Sequence, residues 1–567
     1  MPGRSGAQPR LAGRAHPHPA DLETGVRPAG RRGINVGMPP RWAARWFHAG
    51  HPDTRAGSGD TGQAPSPVTI TRGAGPGPAI PADFAGLSFE VGPLNPGNAG
   101  VSGYLFDPAN ESLVTLFRTL GLRSLRVGGG SVDQRIPVGT GPDGFRGIDN
   151  LFAFAAEVGA RVIYTFRLLN PATAPVADLK SVNAEAAGYI WRHYRDQLAS
   201  FAIGNEPDWH DFHSYAGRPR DPAIYEEISG VPGSAYPSFL ASWHSFADAV
   251  REAAPGALLS GPDTGGYGAM TWTPDPDRGV SWSERFAGDE RDSGRITDIT
   301  QHYYVGGGPG KTSARQAITN MLSPEWVHGT GVGSQPRGTT YTPYPWFYEN
   351  HLARVAAAGV RYRLTEANDY LGGVPGASNG FASALWTLDF LHWWAAHGAG
   401  GVNFHNKQWL DTDTIVPDPG APGRYSTTPK GYGIAAFSLG SAGQVRPVEI
   451  GNPGGINLTA YDVGGAGEDY VTIINKSHGA GASAAAVTIA PPGPGRRTAE
   501  VMTLAGRAPG DATGATAMLG GAAITGDAPW AGQWSPLPAD PQAGITLTVP
   551  AATAAVVRTR SANGRPR

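Results

Sequence analysis

The sequence predicts a (β/α)8 barrel followed by an all-β sandwich. Three observations carry that prediction. Eight short apolar runs alternate with amphipathic stretches between residues 84 and 441. The long connections, 207–235, 264–294, 306–343 and 407–429, all follow apolar runs, as the βα loops of a barrel do. After Ser441 the pattern changes to short alternating strands separated by Gly, Pro and Ser. At 567 residues the chain is also too long for one ordinary core.

The elements follow in chain order. Residues 1–65 hold 20 Gly or Pro and nine Arg without hydrophobic period, and such a segment cannot bury enough apolar surface to offset its ordering entropy. It reads as a disordered leader. Within it, Arg31-Arg32 resembles a twin-arginine start, but no apolar stretch follows, which favours the cytoplasm over export. SPVTITR (66–72) alternates, and residues 66–83 are expected to join the sandwich. The barrel is expected over 84–441. Its eight apolar runs are GLSFEV (86–91), SLRVGG (124–129), RVIYTFRL (161–168), SFAIGNE (200–206), ALLSGPD (257–263), ITDITQHYY (296–304), VRYRLTE (360–366) and GVNFHN (401–406). An open doubly wound sheet is the competing arrangement, but no first βα turn carries G-x-G-x-x-G. Residues 442–560 contain INLTAYDV, YVTIINKS, AAAVTIA, TAEVMTL, GITLTVP and AAVVRTR, the strands expected of the sandwich.

Composition narrows the function classes. Lys plus Arg number 45 against 47 Asp plus Glu, so nothing pulls the chain globally toward nucleic acid or an anionic membrane. No window reaches the ~18 consecutive apolar residues of a membrane span. The chain has no cysteine, which excludes disulfides, thiolate nucleophiles and Cys-built metal sites. VGGGPGKTS (305–313) approaches a phosphate-binding loop, but Val305 stands where the first glycine should be. His210 and His213 lack the surrounding motif of a metal helix, and no metal or other cofactor is expected. Oligomeric state is not legible.

Two carboxylates stand apart. FAIGNEPDWH (201–210) delivers Glu206 at the end of the fourth apolar run, and RYRLTEAN delivers Glu366 at the end of the seventh. In a closed barrel these strands face each other across the cleft, so both acids project from the same rim. Glycosidic cleavage needs such a pair, one protonated to assist the leaving oxygen and one ionised to attack the anomeric carbon. Asn205 precedes the first, and Asn368 follows the second by two positions.

GNEP ending a fourth strand, with a second Glu ending the seventh, resembles the retaining glycoside hydrolases of clan A. GLSFE (86–90), LRVGGGSVDQ (125–134), GNEPDW and QHYY (301–304) together resemble glycoside hydrolase family 79, the β-glucuronidase and heparanase-like family. The resemblance spans about residues 66–560. It implies a retaining exo-β-glycosidase acting on terminal uronic acid in a carbohydrate substrate. It implies Glu206 as acid/base, Glu366 as nucleophile and Asn205 as the contact to the sugar 2-hydroxyl. It implies a tyrosine that orients the nucleophile; because Gln301 and Tyr303 share a strand face, Tyr303 is favoured over Tyr304. Glu90 and Asp133 would line the non-reducing end. The uronate carboxylate would be read by the loop NDYLGG (368–373), through the Gly372 amide, and by the Tyr432 hydroxyl. No Arg or Lys stands in that loop, so neutral donors carry this expectation. The competing readings are another clan A hydrolase, such as an arabinofuranosidase, xylosidase or glucosidase, and a carbohydrate-binding protein on an inactive barrel.

Overall fold

The structure, a computed structural model, describes residues 64–97, 103–135, 137–171, 174–208, 224–230, 235–265, 281–307, 310–323, 342–407, 410–491 and 497–561. The leader through residue 63 and the His210 and His213 positions lie outside these residues. A first strand, β1 (Ser66–Arg72), precedes eight parallel strands that close a barrel. These are β2 (Ala85–Glu90), β3 (Ser124–Gly128), β4 (Arg161–Phe166), β5 (Leu198–Ile203), β6 (Leu259–Thr264), β7 (Ile296–Gly306), β8 (Tyr362–Tyr370) and β9 (Val402–His405). Closure comes from β2 pairing with β9, Ala85 opposite Val402 through Ser88 opposite His405. Each of the eight apolar runs therefore forms a barrel strand, as their alternation with helices predicts.

Local chemistry sets the helix ends. Glu111–Leu120 starts where Asn110 accepts the Leu113 N–H at 3.1 Å and stops at Gly121, whose φ of 70° suits a residue without Cβ. Trp282–Glu290 opens on a reciprocal cap between Ser281 and Glu284. The helix Phe381–Ala396 is buried almost all round, because it runs between the barrel and the C-terminal sheets. Its one buried carboxylate, Asp389, accepts from Thr459 and Tyr461 at 2.7 Å each and pairs with Lys476 at 3.0 Å, all three from the C-terminal strands. Among the described residues no helix is long and apolar enough to cross a membrane.

The C-terminal strands form a five-stranded and a seven-stranded sheet. Val68, Ile70, Ile473, Val487, Ile489, Ile545 and Val557 fill a core of their own. β1 lies inside the five-stranded sheet, antiparallel to Val448–Gly451 and parallel to Ala485–Ile489. The chain thus enters through one sheet of this region, builds the barrel and returns to finish the sheet.

Candidate active site

The C-terminal ends of the barrel strands converge on a buried polar cluster. Just beyond β5 the backbone of Glu206 turns to a φ of 46°, a conformation costly for a non-glycine residue, and its N–H is tied to the Asp263 carbonyl at 2.8 Å. Asp263, at the end of β6, has the same handedness, with a φ of 53°. The turn aims Glu206 at β7, where His302 Nδ1 lies 3.0 Å from Glu206 Oε1. Burial raises the Glu206 carboxyl above its ordinary range, against the pull of the His302 contact. Asp208, two residues on, is pushed well above the usual carboxylate range by burial and by the nearby Glu206 charge.

Glu366 has different surroundings. Arg126 Nη1 donates to its Oε2 at 2.7 Å, and the Tyr304 hydroxyl donates to its Oε1 at 2.7 Å. Burial opposes its ionisation, but the charges of His405, His302 and Arg126 more than compensate and hold it at about 2. Arg126 is fully buried on β3 and also donates to Ser88 at 3.1 Å, Asn205 Oδ1 at 2.7 Å and Asp263 Oδ2 at 3.1 Å. One guanidinium thus fixes Glu366, Asn205 and β6 together. A carboxylate oxygen of Glu206, a ring nitrogen of His302 and a carboxylate oxygen of Glu366 all lie within 4.8 Å of one another.

Glu90 ends β2 beside this pair. Its carboxylate accepts the Ser131 N–H at 2.8 Å and the Ser131 hydroxyl, and faces His405 Nε2 and Lys407 Nζ at 3.3 Å each. The glycine run of LRVGGGS makes room for it: a Cβ on Gly129, at φ 67°, would stand 2.6 Å from the Glu90 carboxyl carbon. Burial works against the Glu90 charge, yet Lys407 and His405 keep its carboxyl well below the ordinary range.

The structure therefore brings Glu206, Glu366, Asn205 and Glu90 into one cluster and moves other expected residues out of it. Tyr303 does not touch Glu366. Its ring packs against Phe347, Phe390 and Trp394, and its hydroxyl donates to the Thr342 carbonyl. Gln301 and Tyr303 do share a face, but it is the outer one: Gln301 bonds Thr264 and Ser283. The inward face carries His302 and Tyr304, so the alternation was right and its phase inverted. Asp133 is 1% exposed and accepts the Leu168 and Leu169 N–H groups at 2.9 Å each, so it braces the loop after β4 instead of lining a cleft. Tyr432 points at the C-terminal region, where its hydroxyl accepts the N–H of Ile524, in the connection between two strands, at 2.9 Å. One helical turn is enough to face it away from the barrel mouth. Gly372 occupies the turn after β8 with a φ of 74°.

Sequence reasoning set Tyr304 aside in favour of Tyr303 and missed Arg126, Asp263, His302 and His405. A signal existed for most of them. Asp263 and His405 end or nearly end their apolar runs, as Glu206 does, and Arg126 is a charge inside a strand that is otherwise apolar.

The Glu206, His302 and Glu366 atoms are close enough to take a cation, but the charge pattern fits a proton better. Burial works against charge on His302, yet Glu366, Asp263 and Glu206 overcome it and push the imidazole up to about 9. A doubly protonated ring offers no lone pair to a metal, and Arg126 already occupies Glu366 Oε2.

No protein-family model matches the chain, and no curated protein sequence matches it. Solved structures do. A 4-O-α-L-rhamnosyl-β-D-glucuronidase from Fusarium oxysporum is 15% identical and aligns over 86% of this chain and 99% of its own, with a TM-score of 0.59. A family 51 arabinofuranosidase from Xanthomonas axonopodis pv. citri is 14% identical over 87% of this chain and 100% of its own, with a TM-score of 0.58. A family 44 xyloglucanase from Paenibacillus polymyxa is 13% identical over 88% and 100%, with a TM-score of 0.56. The chain shares the barrel-plus-β-domain fold of these glycoside hydrolases.

Proposed function

We propose that this chain is a retaining exo-β-glycosidase of the β-glucuronidase type, removing terminal β-linked uronic acid by double displacement. One observation carries the reading. Two buried carboxylates on facing strand ends approach within 4.8 Å, near the ~5–5.5 Å carboxyl spacing of retaining enzymes, and their environments drive their acidities in opposite directions. Glu366, held ionised, attacks the anomeric carbon to form a glycosyl ester. Glu206, holding its proton, passes it to the departing glycosidic oxygen. In the second step the Glu206 carboxylate takes a proton from water, whose oxygen displaces Glu366.

The charge of the cluster supports an anionic sugar. Arg126, His405 and Lys407 bring cationic side chains to the cleft beside Glu366 and Glu90, and burial shifts the Glu206 and Asp208 carboxyls toward their neutral forms. Cationic side chains in a low-dielectric cleft are favourable to a uronate.

A panel of aryl β-glucuronide, β-glucoside, β-xyloside and α-arabinofuranoside tests the sugar. A 2-deoxy-2-fluoro-glucuronyl fluoride should label Glu366, read by peptide mass. Faster turnover of a neutral glycoside keeps the mechanism and removes the uronate. No turnover of any member, together with no label, removes the glycosidase reading.

A further inference from the structure

We propose that Lys430 is a positioning residue: a built-in cation that holds the end of β9, and with it His405, at a fixed distance from Glu366. The inference rests on reading Glu366 as the attacking carboxylate.

Lys430 lies in the first turn of the helix Pro429–Gly440 and is fully buried. Its ammonium sits in an oxygen cage: Asn368 Oδ1 at 2.6 Å, the Thr412 carbonyl at 2.6 Å, Thr412 Oγ1 at 2.7 Å and Asp369 Oδ1 at 3.6 Å. The rings of Trp386 and Phe404 lie 5.6 and 5.7 Å away. Burial lowers the lysine's affinity for its proton, against Asp369 and Asp413. A charge this deep is costly unless its partners are complete, so the cage is specific.

The backbone explains why such a clamp is useful. The ladder between β8 and β9 is irregular where Glu366 stands: Leu364 pairs with Val402 and Ala367 with Phe404, with a register shift between them. Regular ladder bonds therefore do not set the spacing of the two strands beside the nucleophile. A side chain supplies the link. Asn368 Nδ2 donates to the His405 carbonyl at 2.8 Å, and Lys430 on Asn368 Oδ1 fixes which way that amide faces. His405 in turn has Nδ1 3.6 Å from Glu366 Oε2 and Nε2 3.3 Å from Glu90 Oε1. The charged groups facing its imidazole are Glu366, Glu90, Lys407 and Asp413. Lys430 thus acts on Glu366 through Asn368 and His405, without touching either carboxylate beside the imidazole.

The test uses the full chain with Lys430→Met, which keeps the length and removes the charge, and Asn368→Asp, which keeps an acceptor for Lys430 and removes the donor to His405. Both should lower kcat on the aryl glucuronide on the order of tenfold or more, with KM little changed, since misplacement of about 1 Å near the chemistry can cost ~100-fold. In both, the His405 imidazole, followed by nitrogen NMR, should titrate at lower pH than in the wild type as it drifts from Glu366 and Glu90. In Lys430→Ala, ammonium chloride should restore part of the lost kcat, while tetramethylammonium chloride at equal ionic strength should not, being too large for the cage. Wild-type kcat and an unmoved His405 midpoint in the two variants overturn the proposal. If Lys430→Met does not fold, Asn368→Asp decides. If the wild type cleaves no glycoside, the functional reading fails, and the His405 midpoint still decides the clamp.

Discussion

Glu206 and Glu366 are equally hidden, at 7% and 6% exposure, and they share a cleft. Their acidities nevertheless part. Glu366 receives Arg126 and Tyr304 directly and has His405 at 3.6 Å, so three groups stabilise its anion. Glu206 has one imidazole contact and the acidic Asp208 nearby. Burial penalises both anions; the charges of His405, His302 and Arg126 pull the Glu366 carboxyl down, while Glu206 stays raised. At equal depth, unequal surrounding charge drives the two acidities apart.

Removing either partner breaks the comparison most severely. Glu366→Gln should lower kcat by ~10,000-fold or more on every substrate, because no covalent intermediate can form. Steady-state rates with activated and unactivated leaving groups check this, and substantial residual turnover on either class contradicts it. Glu206→Gln should lose about 100- to 10,000-fold on poor leaving groups and far less on activated aryl glycosides, whose departure needs no proton. Azide should rescue this variant and yield a β-glycosyl azide; rescue confined to the Glu366 variant would exchange the two roles.

A smaller change sharpens the comparison. Tyr304→Phe removes a hydroxyl donor to a charged oxygen, worth about 1.5–3 kcal/mol, and should slow turnover by about 10- to 100-fold. Tyr303→Phe should leave kcat within about twofold and cost only about 1 kcal/mol of stability, the worth of one neutral bond, read from thermal melts. Equal kinetic losses in both would restore the expected phase of the strand.

The smallest effect is on stability against pH. The folded-state value of His302, about 9, stands above its ordinary 6.5. Folding therefore favours its protonated form, so this stabilisation is complete below about 6.5 and is lost as pH rises through about 9. Glu366 has the opposite sign: its contribution is present above the ordinary carboxylate range and is lost as pH falls toward about 2. Melting temperature should decline between pH 6.5 and 9, and His302→Gln should flatten that decline. An unchanged slope in the variant would show that another group carries it.

Legibility in the sequence followed periodicity. All eight barrel strands and both carboxylates were readable, because a buried parallel strand is a continuous apolar run and its first polar residue marks the rim. Tyr303 was misplaced because alternation fixes which residues share a face without saying which face is inward; the outer helices that enclose Tyr303 lie elsewhere in the chain. Tyr432 failed for a related reason. Its neighbour Ile524 lies in a connection between C-terminal strands, and no local pattern shows that the last barrel helix is covered by that region. Lys430 left no trace at all, since a lysine at a helix start reads as solvated until Asn368 and Thr412 close around it.

The placement of β1 bears on how the protein is made. Ile70 leaves the ribosome early, whereas its partners Ile450 and Ile489 come only after the whole barrel has been synthesised. At ~5–20 residues per second the wait is on the order of tens of seconds. Throughout it, Val68 and Ile70 remain on an unpaired strand that offers both edges to any passing chain. The nascent protein is therefore exposed to misassociation at this strand, and a chaperone or a slow, dilute expression regime should matter most before the last sheet emerges.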